Sequence, residues 1–154
     1  MPQNSDDEPS SVLLNRIWDI RRQNGKKLKN SSSSLNENIN LPKSPKSWTW
    51  CKVKQISTVC LGSTPSREEP IYWNGYIPWV SSGKVANCLI KSTKERITDL
   101  GLKNSSVKIY PKETVLIAII GQGKTRGQSA ILDIEACTNQ NVATSRDKRG
   151  ALPA

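Results

Sequence analysis

A chain of 154 residues has room for one domain of ordinary size and an appendage, and excludes two full domains. Lys and Arg outnumber Asp and Glu by 23 to 13, for a formal charge of +10, and the excess lies mostly beyond residue 47, where 15 cations face 8 anions. With no histidine the commonest general base and metal ligand is missing, and a basic domain without a long charge run predicts a polyanion-binding face, nucleic acid first.

Residues 1–10 are polar and are expected to fray. Ser11 is a capping residue, and the pattern through 22 puts Leu13, Leu14, Ile17, Trp18 and Ile20 on an apolar stripe with Arg16, Arg21 and Arg22 outside it, which predicts a helix over 11–22. So short a helix is marginal in water, and its stripe needs a surface: the following domain, or a second helix of this chain or another. Residues 23–47 are rich in Asn, Ser and Lys and close on Leu41-Pro42-Lys43-Ser44-Pro45-Lys46, a composition that cannot build a core and predicts a linker. Asp6, Asp7 and Glu8 stand where a secretory signal would be basic and then apolar, and no apolar run approaches membrane-spanning length. A cytoplasmic location with no membrane partner is therefore expected. Cys51, Cys60, Cys88 and Cys137 are scattered, with no C-x-x-C pair, and are expected to be reduced structural thiols; no metal or other cofactor is expected.

The ordered domain is expected to begin at Trp48-Thr49-Trp50, whose alternation leads into Val53, Ile56 and Val59. Residues 62–66 read as a turn. Residues 71–80 place Tyr72, Trp73, Tyr76 and Trp79 around Asn74-Gly75, the strongest short turn signal in the chain. Their spacing is too irregular for a base-stacking platform, so these rings are expected in the core. Ser81, Ser82, Gly83 and Lys84 form a polar loop. A short helix is predicted over 93–100 with Gly101 as its stop, and Pro111-Lys112-Glu113 turns into the next strand.

Residues 114–141 organise the rest. The aliphatic run 115–120 predicts a buried strand and 129–134 a second strand returning beside it, a hairpin with a long tip. Gly121, Gly123 and Gly127 let that tip take positive φ and approach a ligand closely, and Lys124 and Arg126 make the ligand an anion. Residues 118–125 also fit a loosened phosphate-loop pattern ending in Gly123-Lys124-Thr125. Such a loop must open a helix whose amides hold the phosphates; here Ile119 and Ile120 occupy loop positions, a β-like run follows, and too little chain remains for a parallel nucleotide-binding fold. No further strand is expected after Val142-Ala143. An enzyme is not expected: Glu69-Pro70-Ile71-Tyr72 lacks the pattern of an amino-methylating tetrapeptide, and Asp133-Ile134-Glu135 runs into Ala136 and Cys137, without the spacing of nuclease carboxylates.

In order, the chain carries Trp48-Thr49-Trp50, Gly62-Ser63-Thr64-Pro65-Ser66, residues 72–81 (YWNGYIPWVS), 97–102 (ITDLGL), 111–117 (PKETVLI), 121–127 (GQGKTRG) and 138–143 (TNQNVA). This series resembles the target recognition domain of Type I restriction-modification specificity subunits, and Leu13-Leu14-Asn15-Arg16-Ile17 with Arg21-Arg22 resembles the end of the conserved helix that precedes it. The resemblance implies an α+β fold, a twisted, mainly antiparallel sheet with short helices, over residues 48–145, with a spacer-helix remnant at 11–22 and a tail at 146–154. It implies a non-catalytic subunit that reads one half of a bipartite double-stranded DNA target and anchors methylation subunits, to which restriction subunits are added. The family has two such domains where this chain has one. On that reading Lys124 and Arg126 contact phosphate or a guanine edge, Thr125 and Gln122 read beside them with Gly123 allowing close approach, and Ser82 and Lys84 form a second contact loop. Asn139 and Gln140 either hold their loop through backbone hydrogen bonds or reach bases. Leu13, Leu14, Ile17 and Trp18 would meet the methylation subunit, and a chain that docks there without reading DNA is the alternative function.

Overall fold

The computed structural model describes residues 8–23, 40–86, 89–121 and 125–146. The chain divides into two compact units, residues 1–58 with 147–154, and residues 59–146.

In the first unit, α1 (Ser10–Gln23) forms where a helix was expected. Its start is tied down by Ser10, whose amide and hydroxyl both donate to the Ser47 carbonyl at 2.9 and 2.7 Å. This satisfies one of the donors that a helix N-terminus leaves free. Leu14, Ile17 and Arg21 are its buried side chains, an i, i+3, i+7 line. The Arg21 guanidinium donates to the Ser57 carbonyl at 3.0 Å. The alternation from Trp48 to Val53 does not make a strand. Trp48 and Trp50 are exposed, and the Gln55 side chain accepts from the Lys52 amide, which coils the chain into the single turn α2 (Val53–Ile56).

The second unit begins within β1 (Thr58–Leu61) and continues with β2 (Trp73–Val80), β3 (Leu89–Ile90), β4 (Glu95–Ile97), α3 (Asp99–Lys103), β5 (Val115–Ala118), β6 (Ser129–Leu132), β7 (Cys137–Thr138) and β8 (Val142–Arg146). It is α+β and mainly antiparallel, with two sheets: β1-β8-β5-β6-β3 and β4-β2-β7. The pairs β5–β6, β5–β8 and β2–β4 are antiparallel, and the two-residue pairs β3–β6 and β2–β7 are parallel. Leu116 and Ala118 on β5 and Ala130 and Leu132 on β6 share one face, as strand periodicity requires, and pack with Val80, Val85, Ile90, Tyr110 and Val142. The three-stranded sheet has its own cluster of Ile77, Trp79, Ile97, Val107 and Cys137 with Trp73 packed against it, so two of the four rings expected in the core are there, while Tyr76 is exposed and Tyr72 half-buried at the end of a short turn.

The central hairpin is present, with both strands shorter than their apolar runs. β5 ends at Ala118 because the Ile119 amide turns away to the Asn141 carbonyl at 3.0 Å, leaving Ile119 and Ile120 38% and 56% exposed. After Ala143, where no strand was expected, β8 runs on through Arg146 because β5 offers a free edge, pairing Thr144 with Leu116 and Ser145 with Val115.

Asn74-Gly75 is not a hairpin turn. It lies inside β2, where both Trp73 and Ile77 register with Ile97, so the residues between them bulge out of the ladder. Asn74 takes φ 62°. A Cβ on Gly75 would sit 2.4 Å from the Ile97 carbonyl oxygen. Arg96 donates to the Tyr76 carbonyl and the Tyr76 hydroxyl to Asp99, at 3.1 and 2.6 Å, which hold the bulge. The helix expected over 93–100 is instead strand β4 followed by α3, which Thr98 caps by accepting from the Gly101 amide at 3.1 Å. Gly101 is therefore inside the helix rather than at its end, and its lack of a side chain admits Tyr72, whose carbonyl oxygen would lie 2.6 Å from a Cβ.

Gly75→Ala should lose about 1–3 kcal/mol in denaturant unfolding through overpacking, whereas Gly83→Ala, with nothing within 4 Å of its Cβ, should stay within about 0.5 kcal/mol of wild type. A second expectation concerns Cys137, which is fully buried, so that desolvation pushes its thiol from 9.0 up to about 12. The folded state keeps this proton while the unfolded chain releases it. The stability contributed is whole below about pH 9 and is lost as pH rises toward about 12. The difference in unfolding free energy between wild type and Cys137→Ala should be flat below that range and shrink above it.

Candidate nucleic-acid interface

The residues between β7 and β8 gather the loops of the second unit at one edge. The Asn139 amide donates to the Val80 carbonyl at 3.1 Å, which brings in the loop that follows β2. Ile119 donates to the Asn141 carbonyl at 3.0 Å, which brings in the tip of the β5–β6 hairpin. Ser63 donates to Thr138 and Gly62 to Val142, at 2.8 and 3.2 Å, which bring in the loop after β1. Gly62 passes so close that a Cβ there would lie 2.2 Å from the Thr138 carbonyl oxygen.

On this edge Ser82 and Lys84 lie in a single 3-10 turn, Ser82–Lys84, closed by the Val85 amide bonding to Ser82. Both are half-buried. Thr125, also half-buried, lies against Gly121, which takes φ 140°, and Arg126 stands exposed in the turn that leads into β6. The Gly127 amide bonds back to Ala118 and that of Gln128 to the Thr125 carbonyl, at 2.8 and 3.1 Å, so the return of the tip is ordered. Gln122, Gly123 and Lys124 lie outside the described residues. After Thr125 the chain turns into β6 and opens no helix, which removes the structural basis for a phosphate loop. Asn139 is buried, and its side-chain oxygen accepts from the Asn141 amide at 3.2 Å, a loop-holding bond. Gln140 is exposed and bonds to Thr64. Among the described residues neither Lys84 nor Arg126 is in an ion pair with a carboxylate. Leu14 and Ile17 on α1 are buried, while Leu13 and Trp18 are half-buried.

Residues 62–66 were read from sequence only as a turn and a family motif, yet with Arg67 they form a third element of the edge. The Trp79 indole donates to the Ser63 carbonyl at 3.2 Å and the Trp73 indole to the Ser66 carbonyl at 2.9 Å. Arg67 lies 3.6 Å above the Trp73 ring and pairs with Glu95 at 2.6 Å. The available signal was chemical: two tryptophans destined for a core need carbonyl partners for their N–H groups, and a glycine-hydroxyl-proline loop supplies them.

The second unit is a small two-sheet α+β domain whose loops, polar and cationic, converge on one edge. The Type I restriction modification DNA specificity domain family matches residues 45–151. The specificity subunit of the Type I restriction enzyme MjaIX from Methanocaldococcus jannaschii is 38% identical over 113 residues, 71% of this chain and 26% of that protein. The EcoR124I/EcoR124II specificity subunit from Escherichia coli is 28% identical over 95 residues, 60% of this chain and 24% of that protein. The HsdS subunit from Thermoanaerobacter tengcongensis shares the fold with a TM-score of 0.50 at 12% identity, over 92% of this chain and 30% of that one. The chain belongs to the Type I restriction-modification specificity-subunit family, as a target recognition domain, and spans about a quarter of the length of the curated relatives it matches.

Trp73→Phe should keep a ring beneath Arg67 while removing the donor to Ser66. Amide hydrogen exchange within residues 63–66 should accelerate, at a cost of about 0.5–1.5 kcal/mol in local stability.

Proposed function

We propose that this chain is a non-catalytic DNA-reading module that recognises one half of a bipartite double-stranded target for a Type I restriction-modification complex. What supports the reading is the convergence of three loops on residues 138–142, beside which stand Lys84 and Arg126, without carboxylate partners among the described residues, and the hydroxyls of Ser82 and Thr125. Such an edge suits duplex DNA: cations for phosphate, and hydroxyl and amide groups for base edges. Of the neighbouring residues in sequence, Gln122 reads beside Lys124 with Gly123 between them, and Lys124 contacts phosphate while Arg126 contacts phosphate or a guanine edge. Asn139 shapes the loop and Gln140 faces outward from it.

In the assembled system the methylation subunit docks beside this module and the restriction subunit joins the complex. A chain that docks without reading DNA would use Leu13, Leu14, Ile17 and Trp18. The burial of Leu14 and Ile17 weighs against that alternative, since α1 would have to release them first. The location is cytoplasmic and no cofactor takes part.

The test is a selection from random duplexes, with the chain alone and with a methylation subunit of a Type I system. Enrichment of a short asymmetric motif is the expected result; retention that falls with salt and enriches nothing would refute sequence reading. Lys124→Ala should weaken binding to all duplexes and reduce the slope of log affinity against log salt by about one phosphate contact. Arg126→Ala should do the same or relax preference at a single guanine. Unchanged affinity and slope in both would remove the hairpin tip from the DNA face.

A further inference from the structure

The bond between Thr64 and Gln140 joins residues 76 positions apart across the edge. Thr64 is firmly placed: Ser63 bonds Thr138, the Trp79 indole holds the Ser63 carbonyl, and the following Pro65 is fully buried. A residue before proline is confined to extended backbone. Gln140 is held as closely from the other side, between Asn139, whose amide bonds Val80 and whose side chain bonds the Asn141 amide, and Asn141, whose carbonyl takes the Ile119 amide. Two fixed backbones therefore present a half-buried Thr64 and an exposed Gln140 to each other, and the Thr64 hydroxyl donates to the Gln140 Oε1.

A carboxamide reads adenine through both of its ends, its oxygen accepting while its nitrogen donates. With one lone pair of Oε1 engaged by Thr64, the end of the exposed Gln140 carboxamide best left for a ligand is its N–H₂ donor pair. Acceptor oxygens answer that donor pair, and on a duplex the acceptors that recur regardless of sequence are phosphate oxygens. We infer that Gln140 is a neutral phosphate-contacting residue that sets the register of the domain on DNA, and that Thr64 is its positioning residue. This inference rests on the proposed DNA-binding role of the edge.

A neutral contact has a signature unlike that of Lys124 or Arg126, because no protein cation displaces a counterion. Gln140→Ala should weaken binding roughly three- to tenfold on every duplex tested, with the salt slope unchanged. Thr64→Val should reproduce most of that loss, and Thr64→Ser, which restores the hydroxyl, should recover wild-type affinity. Melting temperatures measured in parallel should not move with Gln140→Ala. Walking a single methylphosphonate along each strand should find one phosphate at which the modification and Gln140→Ala are not additive. Loss of preference at a single adenine in Gln140→Ala would overturn the assignment in favour of base reading. Binding that responds to Arg126→Ala and not to Gln140→Ala overturns this inference alone, and a wild-type chain that binds no duplex overturns it together with the DNA-binding reading.

Discussion

The edge where the loops converge depends on the passage of Gly62 beneath residues 138 and 139. The contact is so close that any Cβ would collide with two carbonyl oxygens, those of Thr138 and Asn139, 2.2 and 2.3 Å away. Among the described residues the buried Thr138 hydroxyl beside this crossing has no hydrogen-bond partner, at a penalty of about 1–3 kcal/mol. What this crossing secures is the junction of the two sheets. β7 belongs to the three-stranded sheet and β8 to the five-stranded one, and the chain leaving β1 bonds to both, through Ser63 to Thr138 and Gly62 to Val142. One glycine therefore ties two small hydrophobic clusters into a single frame, neither of them large by itself.

The loops on that frame owe their order to hydrogen bonds with main-chain atoms more than to apolar packing. Carbonyls of residues 63 and 66 are capped by indoles, that of residue 80 by the Asn139 amide, and that of Asn141 by Ile119. Recognition surfaces built this way leave their outer side chains free of structural duty. Arg126 and Lys84 illustrate the division of labour, since neither holds a carboxylate among the described residues, whereas Arg67, inside the frame, holds both Glu95 and the face of Trp73.

How much of this was legible in sequence follows from the range over which each feature is determined. The β5–β6 hairpin and α1 were readable because their patterns are local: a continuous aliphatic run, and a stripe at helical spacing. Asn74-Gly75 misled because the same two residues suit a tight turn and a bulge. What decides between them is β4, some twenty positions later, pairing Ile97 with strand residues on both sides. Gly101 misled for a similar reason. A glycine after Leu100 reads as a helix stop, while its actual reason is the carbonyl of Tyr72 arriving from another element. Of the edge, the cationic tip was visible as composition. The loop at 62–66 was visible only as a motif, because the tryptophans that hold it are themselves placed by the core.

The hairpin has one more consequence. Its ladder is anchored below the tip, by Val115 with Ile131, Leu116 with Ala130 and Ile117 with Ser129, and β8 on the far side of β5 locks the same register again. Two further bonds extend the ladder into the tip, from the Ala118 amide to the Gln128 carbonyl and from the Gly127 amide to the Ala118 carbonyl, so a change of length between Gly121 and Thr125, beyond those bonds, is felt mainly as loop entropy, about 0.6 kcal/mol for a doubling. Insertions and deletions there are thermodynamically cheap and leave the inward and outward faces of both strands unaltered. A frame of this kind can change what it touches at the tip while the rest of the domain folds as before.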